Sequence, residues 1–299
     1  MPQKKIELSK PRDFGEIIND SFLFVRQNFK YLIKYFFIFC GVFLLASIVV
    51  SVITQLKIIN TVTNYNPNSF DNDDLVSRFS FLSLRFLLLL VFLFLEYCAI
   101  NVTITCYMAL YKHKGKVPPT TEEMWGYFKF FFLKVLGSNF ILSILTLLGF
   151  ALCILPGFYL GVIFALVPSI MIVENTSFGY AFNQCFRLIK DNWWVTFGAM
   201  VVMGIIIYVM SFVMNVPALV LRMSSLLTHS MSGTTMFTIT TIVSSVLEEI
   251  ARIFQILAIV TTSLCYFNLS ESKDGTSLME RINRFGTGQT DLNAAPEEY

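Results

Sequence analysis

Six long apolar runs restrict this chain more strongly than any other feature of it. They cover about 31–56, 83–111, 136–154, 157–173, 194–216 and 237–268. A bilayer core about 30 Å thick takes about 20 apolar residues of helix, and only a helix or a closed barrel satisfies its own backbone polar groups there. Only 14% of the residues are charged, against about 25% in soluble domains, and the mean hydropathy is +0.66. A water-soluble globule of this size would lack the polar side chains to cover it. The expected fold class is all-α: a polytopic membrane helix bundle of six spans. One membrane domain is expected over 1–270, with a tail at 271–299 that begins as a short helix. Gly286, Gly288 and Pro296 then break structure, and disorder is expected there.

The basic residues set the orientation. Seventeen lie before or just at the start of the first span, between spans two and three, between four and five, or after the sixth, among them Arg12, Lys34, Lys114, Arg187 and Lys273. Four lie on the opposite side: Lys57, Arg78, Arg85 and Arg222. The positive-inside rule then predicts cytoplasmic N and C termini and an inner-membrane location. The first 30 residues are polar and amphipathic, unlike a cleavable signal, so the first span is expected to be a retained anchor. Leu155-Pro156-Gly157 is read as a tight turn between spans three and four, and Pro168 as a tilt or kink in span four.

Three stretches on the cytoplasmic side are expected to be interfacial amphipathic helices, at about 13–30, 121–134 and 177–192. Asp13-Phe14-Gly15, Asn19, Phe22, Arg26 and Asn28 recur 164 residues later as Ser177-Phe178-Gly179, Asn183, Phe186, Lys190 and Asn192. Asp13 and Ser177 suit N-caps, Asp13 with Glu16 and Thr120 with Glu123 suit capping boxes, and Lys134 follows its cap as Arg26 and Lys190 follow theirs. Phe14, Ile18, Phe22, Val25 and Phe29 share one helical face. Each unit would be an interfacial helix followed by two spans, a parallel internal repeat. The candidate headgroup contacts are Arg26, Lys134, Arg187, Lys190 and Trp193.

A second candidate site consists of polar groups inside the spans. Glu96 sits mid-span in the second run, with Asn101 further along, and Glu248, Glu249 and Arg252 sit in the sixth. A charge at the bilayer centre costs about 2.5–3.5 kcal/mol on insertion scales, so these side chains should face inward and pair. Glu248 and Arg252, four apart, share a face and can pair, although the first turns of so long a span could also project from the lipid. Glu96 has no partner in its own span, which makes it the stronger functional candidate.

Several function classes are disfavoured. His113 and His229 lie in different loops, and the six cysteines form no CxxC pair, so neither a metal centre nor another cofactor is expected. The acidic stretch Asp71-Asn72-Asp73-Asp74 lacks the glycine and glutamate of a calcium loop, having Val76 and Leu82 there. Glu248-Glu249-Ile250-Ala251-Arg252 resembles the paired-glutamate motif of intramembrane CAAX-type proteases, but its arginine is misplaced by one residue and no histidine lies in a span. No nucleophile–base motif is present, so no enzyme is expected, and no basic groove suggests nucleic acid.

Residues 155–194 carry a family resemblance. Leu155-Pro156-Gly157-Phe158-Tyr159-Leu160, Pro168, Ile172-Val173-Glu174, Ala181, Phe186-Arg187-Leu188-Ile189-Lys190 and Trp193 resemble the membrane domain beside some bacterial glycerophosphoryl diester phosphodiesterases and related inner-membrane proteins. Gln184-Cys185 stands where that family usually has Arg-Ser. The roughly 30 residues after Leu269 are too few for a catalytic barrel of about 250. The resemblance therefore implies a lipid-associated membrane domain without phosphodiesterase activity. The expectation is a non-enzymatic protein that binds or organises membrane lipids or a partner membrane protein. The alternative is a small-molecule or lipid transporter using the intramembrane carboxylates.

Overall fold

The computed structural model describes residues 5–63, 72–227 and 233–275, and among them there is no strand. The helices are α1 (Phe14–Thr63), α2 (Asn72–His113), α3 (Thr121–Leu152), α4 (Ile154–Phe164), α5 (Val167–Val173), α6 (Phe178–Ile189), α7 (Trp193–Leu227), α8 (Gly233–Ala251) and α9 (Gln255–Asp274). A 3₁₀ turn, Arg252–Phe254, joins the last two. Six stretches are long and apolar enough to cross a bilayer, from Phe14–Gln55 to Ile239–Asp274. The chain is an all-α bundle of a multi-pass membrane protein.

Consecutive elements pair as three hairpins, α1 with α2, α3 with α4, and α7 with α8. The bundle is closed by α9, which packs against α1, α2 and α7. Within the most apolar part of the last stretch 61% of residues are buried, against 11% for α7, so α9 is central and α7 peripheral. The outward face of α7, with Ile205, Tyr208, Phe212 and Val213, is apolar throughout, as lipid contact requires.

The segments predicted to share one side of the membrane meet at one end of the bundle. Lys5 donates to the Lys116 carbonyl at 3.0 Å, and the Tyr35 hydroxyl to the Pro119 carbonyl at 2.6 Å. The Tyr266 hydroxyl donates to Glu174 at 2.8 Å, and Lys273 bridges the Arg187 carbonyl and Asp191. Residues 5–12 are folded over this end. Ile6 and Leu8 are buried, and the Arg12 guanidinium pairs with Asp20 at 2.9 Å and donates to the Leu8 carbonyl at 2.7 Å. The Arg12 backbone N–H donates to Asn268 Oδ1 at 2.7 Å, tying the first segment to the last helix.

Several boundaries differ from expectation. The first two amphipathic stretches are not separate helices: α1 and α3 run without interruption from cap to span. No glycine–proline break separates them, and a continuous helix satisfies its own backbone. Only the third stands apart, as α6, ended by a turn at 190–192 before α7. The Thr120–Glu123 capping box forms in full, Glu16 accepts from the Asp13 N–H at 3.2 Å, and Ser177 caps by position without a side-chain bond. The apolar face read from the sequence points away from the bundle: Phe14, Phe22 and Phe29 are exposed, while Ile17, Phe24, Asn28 and Leu32 form the buried stripe.

The turn between spans three and four lies at Cys153, whose backbone is extended. Leu155-Pro156-Gly157 forms the first turn of α4, where proline's missing N–H costs nothing. Gly157 is needed for contact rather than for the turn, since a Cβ there would lie 2.4 Å from the Phe150 ring. Span four is interrupted at 165–166, just before Pro168 at the start of α5. Pro217, by contrast, lies inside α7, which continues past the expected end of span five to Leu227. Likewise α1 runs on to Thr63 and α2 starts at Asn72, shortening the outer loop. The side chains of the acidic stretch at 71–74, His229, and the tail from 276 on lie outside the described residues.

Candidate functional site

Span six breaks where its charges are. Residues after Ala251 tighten into the 3₁₀ turn, in which about three residues complete a turn instead of 3.6. Residues three and four back both neighbour Arg252 on the α-helix that precedes it. Arg252 Nε lies 2.7 Å from Glu249 Oε2, while Glu248 is exposed and has no ion pair among the described residues. The expected Glu248–Arg252 pair is replaced by Glu249–Arg252.

The same guanidinium nitrogen lies 3.1 Å from Glu96 Oε1, across the bundle on α2. The predicted partner of Glu96 is thus supplied by another span. Glu96 is fully buried and Glu249 is 6% exposed. Glu96 lies ten residues from Phe86 and seventeen from His113, or about 15 Å and 25 Å along α2. The cluster is therefore deep between the two ends of the span.

Proximity is not matched by hydrogen bonding. The Arg252 Nε–H is not directed at either carboxylate, and both Glu96 oxygens, Glu249 Oε2 and Arg252 Nε have no hydrogen-bond partner among the described residues. Two carboxylates also face one guanidinium, so with all three ionised the cluster carries one net negative charge. An unsatisfied buried charge is costly, and such a group persists where something else is at stake. Ser47 on α1 lies beside Glu96, but its hydroxyl proton is given to the Leu44 carbonyl at 2.9 Å. The carbonyl oxygen of Gln255, one residue past the 3₁₀ turn, is likewise buried without a partner.

Glu249 also reaches a surface groove. A cleft of about 460 Å³ opens between α1 and α8, walled by apolar side chains including Phe37, Leu45 and Ile250, with Glu249 in its lining. Asn101 does not join the cluster. It lies five residues beyond Glu96, about 140° around the helix, and its buried Oδ1 has no partner among the described residues. Among those residues no three His, Cys, Asp or Glu side chains are grouped to hold a metal.

The headgroup candidates separate into two kinds. Arg26 and Lys134 are exposed without an acidic partner among the described residues, as are Lys30 and Lys129, while exposed Lys190 lies beside Asp191. Lys134 lies 3.5 Å over the Phe130 ring, a cation–π contact. Arg187 instead pairs with Asp274 at 3.0 Å, and Trp193 stacks on Phe197 and Tyr159. Arg187 remains exposed while it ties α6 to the end of α9, and Trp193 is half-buried at the start of α7.

Ser47 and Gln255 were not singled out by sequence. Ser47 is a lone hydroxyl within an apolar run, and only its three-dimensional position beside Glu96 distinguishes it. Gln255 had a usable signal, a polar residue three positions after Arg252 in a span. Comparison with known protein families, curated proteins and solved structures returns no match.

Proposed function

We propose that this is a non-enzymatic inner-membrane protein that binds and organises lipids at a basic, aromatic collar on its cytoplasmic end. The observation that carries the reading is the set of exposed cations Arg26, Lys30, Lys129 and Lys134, without an acidic partner among the described residues, set among exposed Phe22, Phe29, Trp125, Phe130 and Trp194. Aromatic rings with an apolar body and basic side chains with long stems favour headgroup depth, and unpaired cations there attract acidic phosphate headgroups. The resemblance of 155–194 to the membrane domain of the phosphodiesterase family fits a lipid-associated role.

The test is native mass spectrometry of protein extracted with its surrounding lipid. Wild type is expected to retain phosphatidylglycerol or cardiolipin over zwitterionic lipid, and a Arg26→Gln, Lys129→Gln, Lys134→Gln variant to lose that preference while keeping its mass and fold. Equal lipid profiles would overturn the proposal, and a stoichiometric protein in place of lipid would make the collar a partner-docking surface. Orientation is tested by introducing cysteine at Lys116 and Asn175, both expected to be labelled only from the cytoplasm.

A second reading, a transporter, is favoured by one observation: the Glu96–Arg252–Glu249 cluster at a helix break deep in the bundle. It predicts that Glu96→Gln folds but no longer moves substrate.

A further inference from the structure

Between α1 and α8 a file of polar side chains ends at the buried charges. Thr241, Ser245 and Glu249 follow one another at intervals of four on α8, and Ser47, Ser51 and Gln55 do so on α1, so each set shares one helical face. Thr241, Ser245, Glu249 and Ser47 are buried, and Ser51 and Gln55 are half-buried. The Gln55 amide donates to Ser51 at 3.1 Å and to Ser245 at 3.3 Å, which brings the two faces together. Eight residues of helix span about 12 Å, so the file runs that far from Glu249 toward the end of the bundle opposite residues 5–12. At its inner end it meets two carboxyl groups. Glu249 Oε2 and Glu96 Oε1 lie 2.7 Å and 3.1 Å from the same nitrogen, Arg252 Nε, and neither oxygen has a hydrogen-bond partner among the described residues.

We propose that Glu96 and Glu249 share one exchangeable proton, and that the hydroxyl file between α1 and α8 conducts it to them. Two carboxylates crowded on one cation deep in a bundle repel each other. A single proton, bonded to an oxygen of one and directed at the other, removes that contact and gives the unpartnered oxygens a partner, while Arg252 balances the charge that remains. A metal ion does not fit, because the guanidinium nitrogen already sits between the two oxygens and a hard cation takes about six oxygen ligands. Each hydroxyl can donate and accept at once, as a proton relay requires. The other titratable groups around the pair are Tyr97 and Cys98 on α2 and the Cys40 thiol on α1, which lies 3.6 Å from the Thr103 hydroxyl. Glu248, next along α8, is exposed. The charged residues of α3 end at Lys134, those of α9 begin at Glu271, and α5 and residues 193–220 of α7 have none. The site would give the transporter reading its coupling ion, yet it rests on the geometry of the cluster. Its test reads protonation, so a chain that moves no substrate would refute that reading and not this one.

The test is infrared difference spectroscopy of the full chain in phosphatidylcholine nanodiscs as the pH is lowered from about 9 to about 6, a range in which ordinary carboxyl groups, near 4, stay ionised. Wild type is expected to gain the C=O stretch of one neutral carboxylic acid per chain, shifted in heavy water. Glu96→Gln and Glu249→Gln should each lose that band, because either leaves a single carboxylate balanced by Arg252. Thr241→Val with Ser245→Ala keeps every charge, and should keep the amplitude of the band while slowing its rise after a pH jump by roughly tenfold or more. No band in wild type, or a band that survives in either glutamine variant, would overturn the shared proton. An unchanged rate in the hydroxyl variant would overturn the file as its route. The wild-type and hydroxyl-variant spectra decide the matter even where a glutamine variant fails to fold.

Discussion

Two carboxylates around one guanidinium make the cost of removing a charge depend on which charge is removed. Arg252→Met takes away the one cation paired with Glu96 and Glu249 among the described residues and leaves two buried carboxyl groups without it. Breaking a buried pair from one side costs about 3–5 kcal/mol, and the 22% exposure of the Arg252 side chain places this variant near the lower end, about 3 kcal/mol. Glu96→Gln does the opposite. It removes the surplus charge, keeps the volume, and leaves Glu249 2.7 Å from Arg252 as a balanced pair, so its expected cost is about 1 kcal/mol or less. The double variant Arg252→Met, Glu96→Gln holds one carboxylate and no cation, and should be more stable than Arg252→Met alone by about 1–2 kcal/mol. Equilibrium unfolding by steric trapping in bicelles measures the three differences directly. If Glu96→Gln is as damaging as Arg252→Met, or if the double variant is no better than Arg252→Met, the carboxylates do not share the guanidinium and the charge argument is wrong.

Gly157→Ala should separate α3 from α4, because its Cβ would lie 2.4 Å from the Phe150 ring. The expected loss is about 1–3 kcal/mol by thermal unfolding in detergent, largely relieved by adding Phe150→Ala. Arg12→Ala removes the ion pair to Asp20 and the bonds that fasten residues 5–12, so limited proteolysis should cut at Lys5 or Lys10 in the variant while wild type is protected. Asp191, held below the ordinary aspartate range by the hydrogen bond and charge of Lys273, binds fewer protons folded than unfolded near pH 4. Its contribution is present above the ordinary aspartate range and is lost as pH falls through its lowered value. The fastening of α9 to the 190–192 turn should therefore weaken only in acid, and Asp191→Asn should remove that dependence, read by hydrogen exchange of the last turn of α9.

Span number and the shared side of four segments were legible because both rest on one-dimensional quantities, run length and the placement of Lys and Arg. The Thr120–Glu123 cap was legible because its two bonds involve residues three apart. What failed was local geometry set by partners distant in sequence. That Ile17, Phe24 and Leu32 pack on the bundle was not read from the sequence at all, because it depends on where α9 sits. The Glu248 pairing followed from spacing alone, which allows three or four residues, and the bundle turns Glu249 rather than Glu248 inward beside Arg252. No glycine or proline announces the 3₁₀ turn that follows. The intramembrane charges themselves were identifiable, since charge in an apolar run is conspicuous, but the sharing of Arg252 between two spans was not.

The bond from the Arg12 N–H to Asn268 joins residues 256 apart. A ribosome adding about 5–20 residues per second needs roughly 13–50 s to make that interval. Throughout that time the Arg12 N–H has been synthesised but its acceptor on α9 has not. The fastening of residues 5–12 to α9 is thus among the last contacts of the bundle to form, although those residues precede α1 in the sequence.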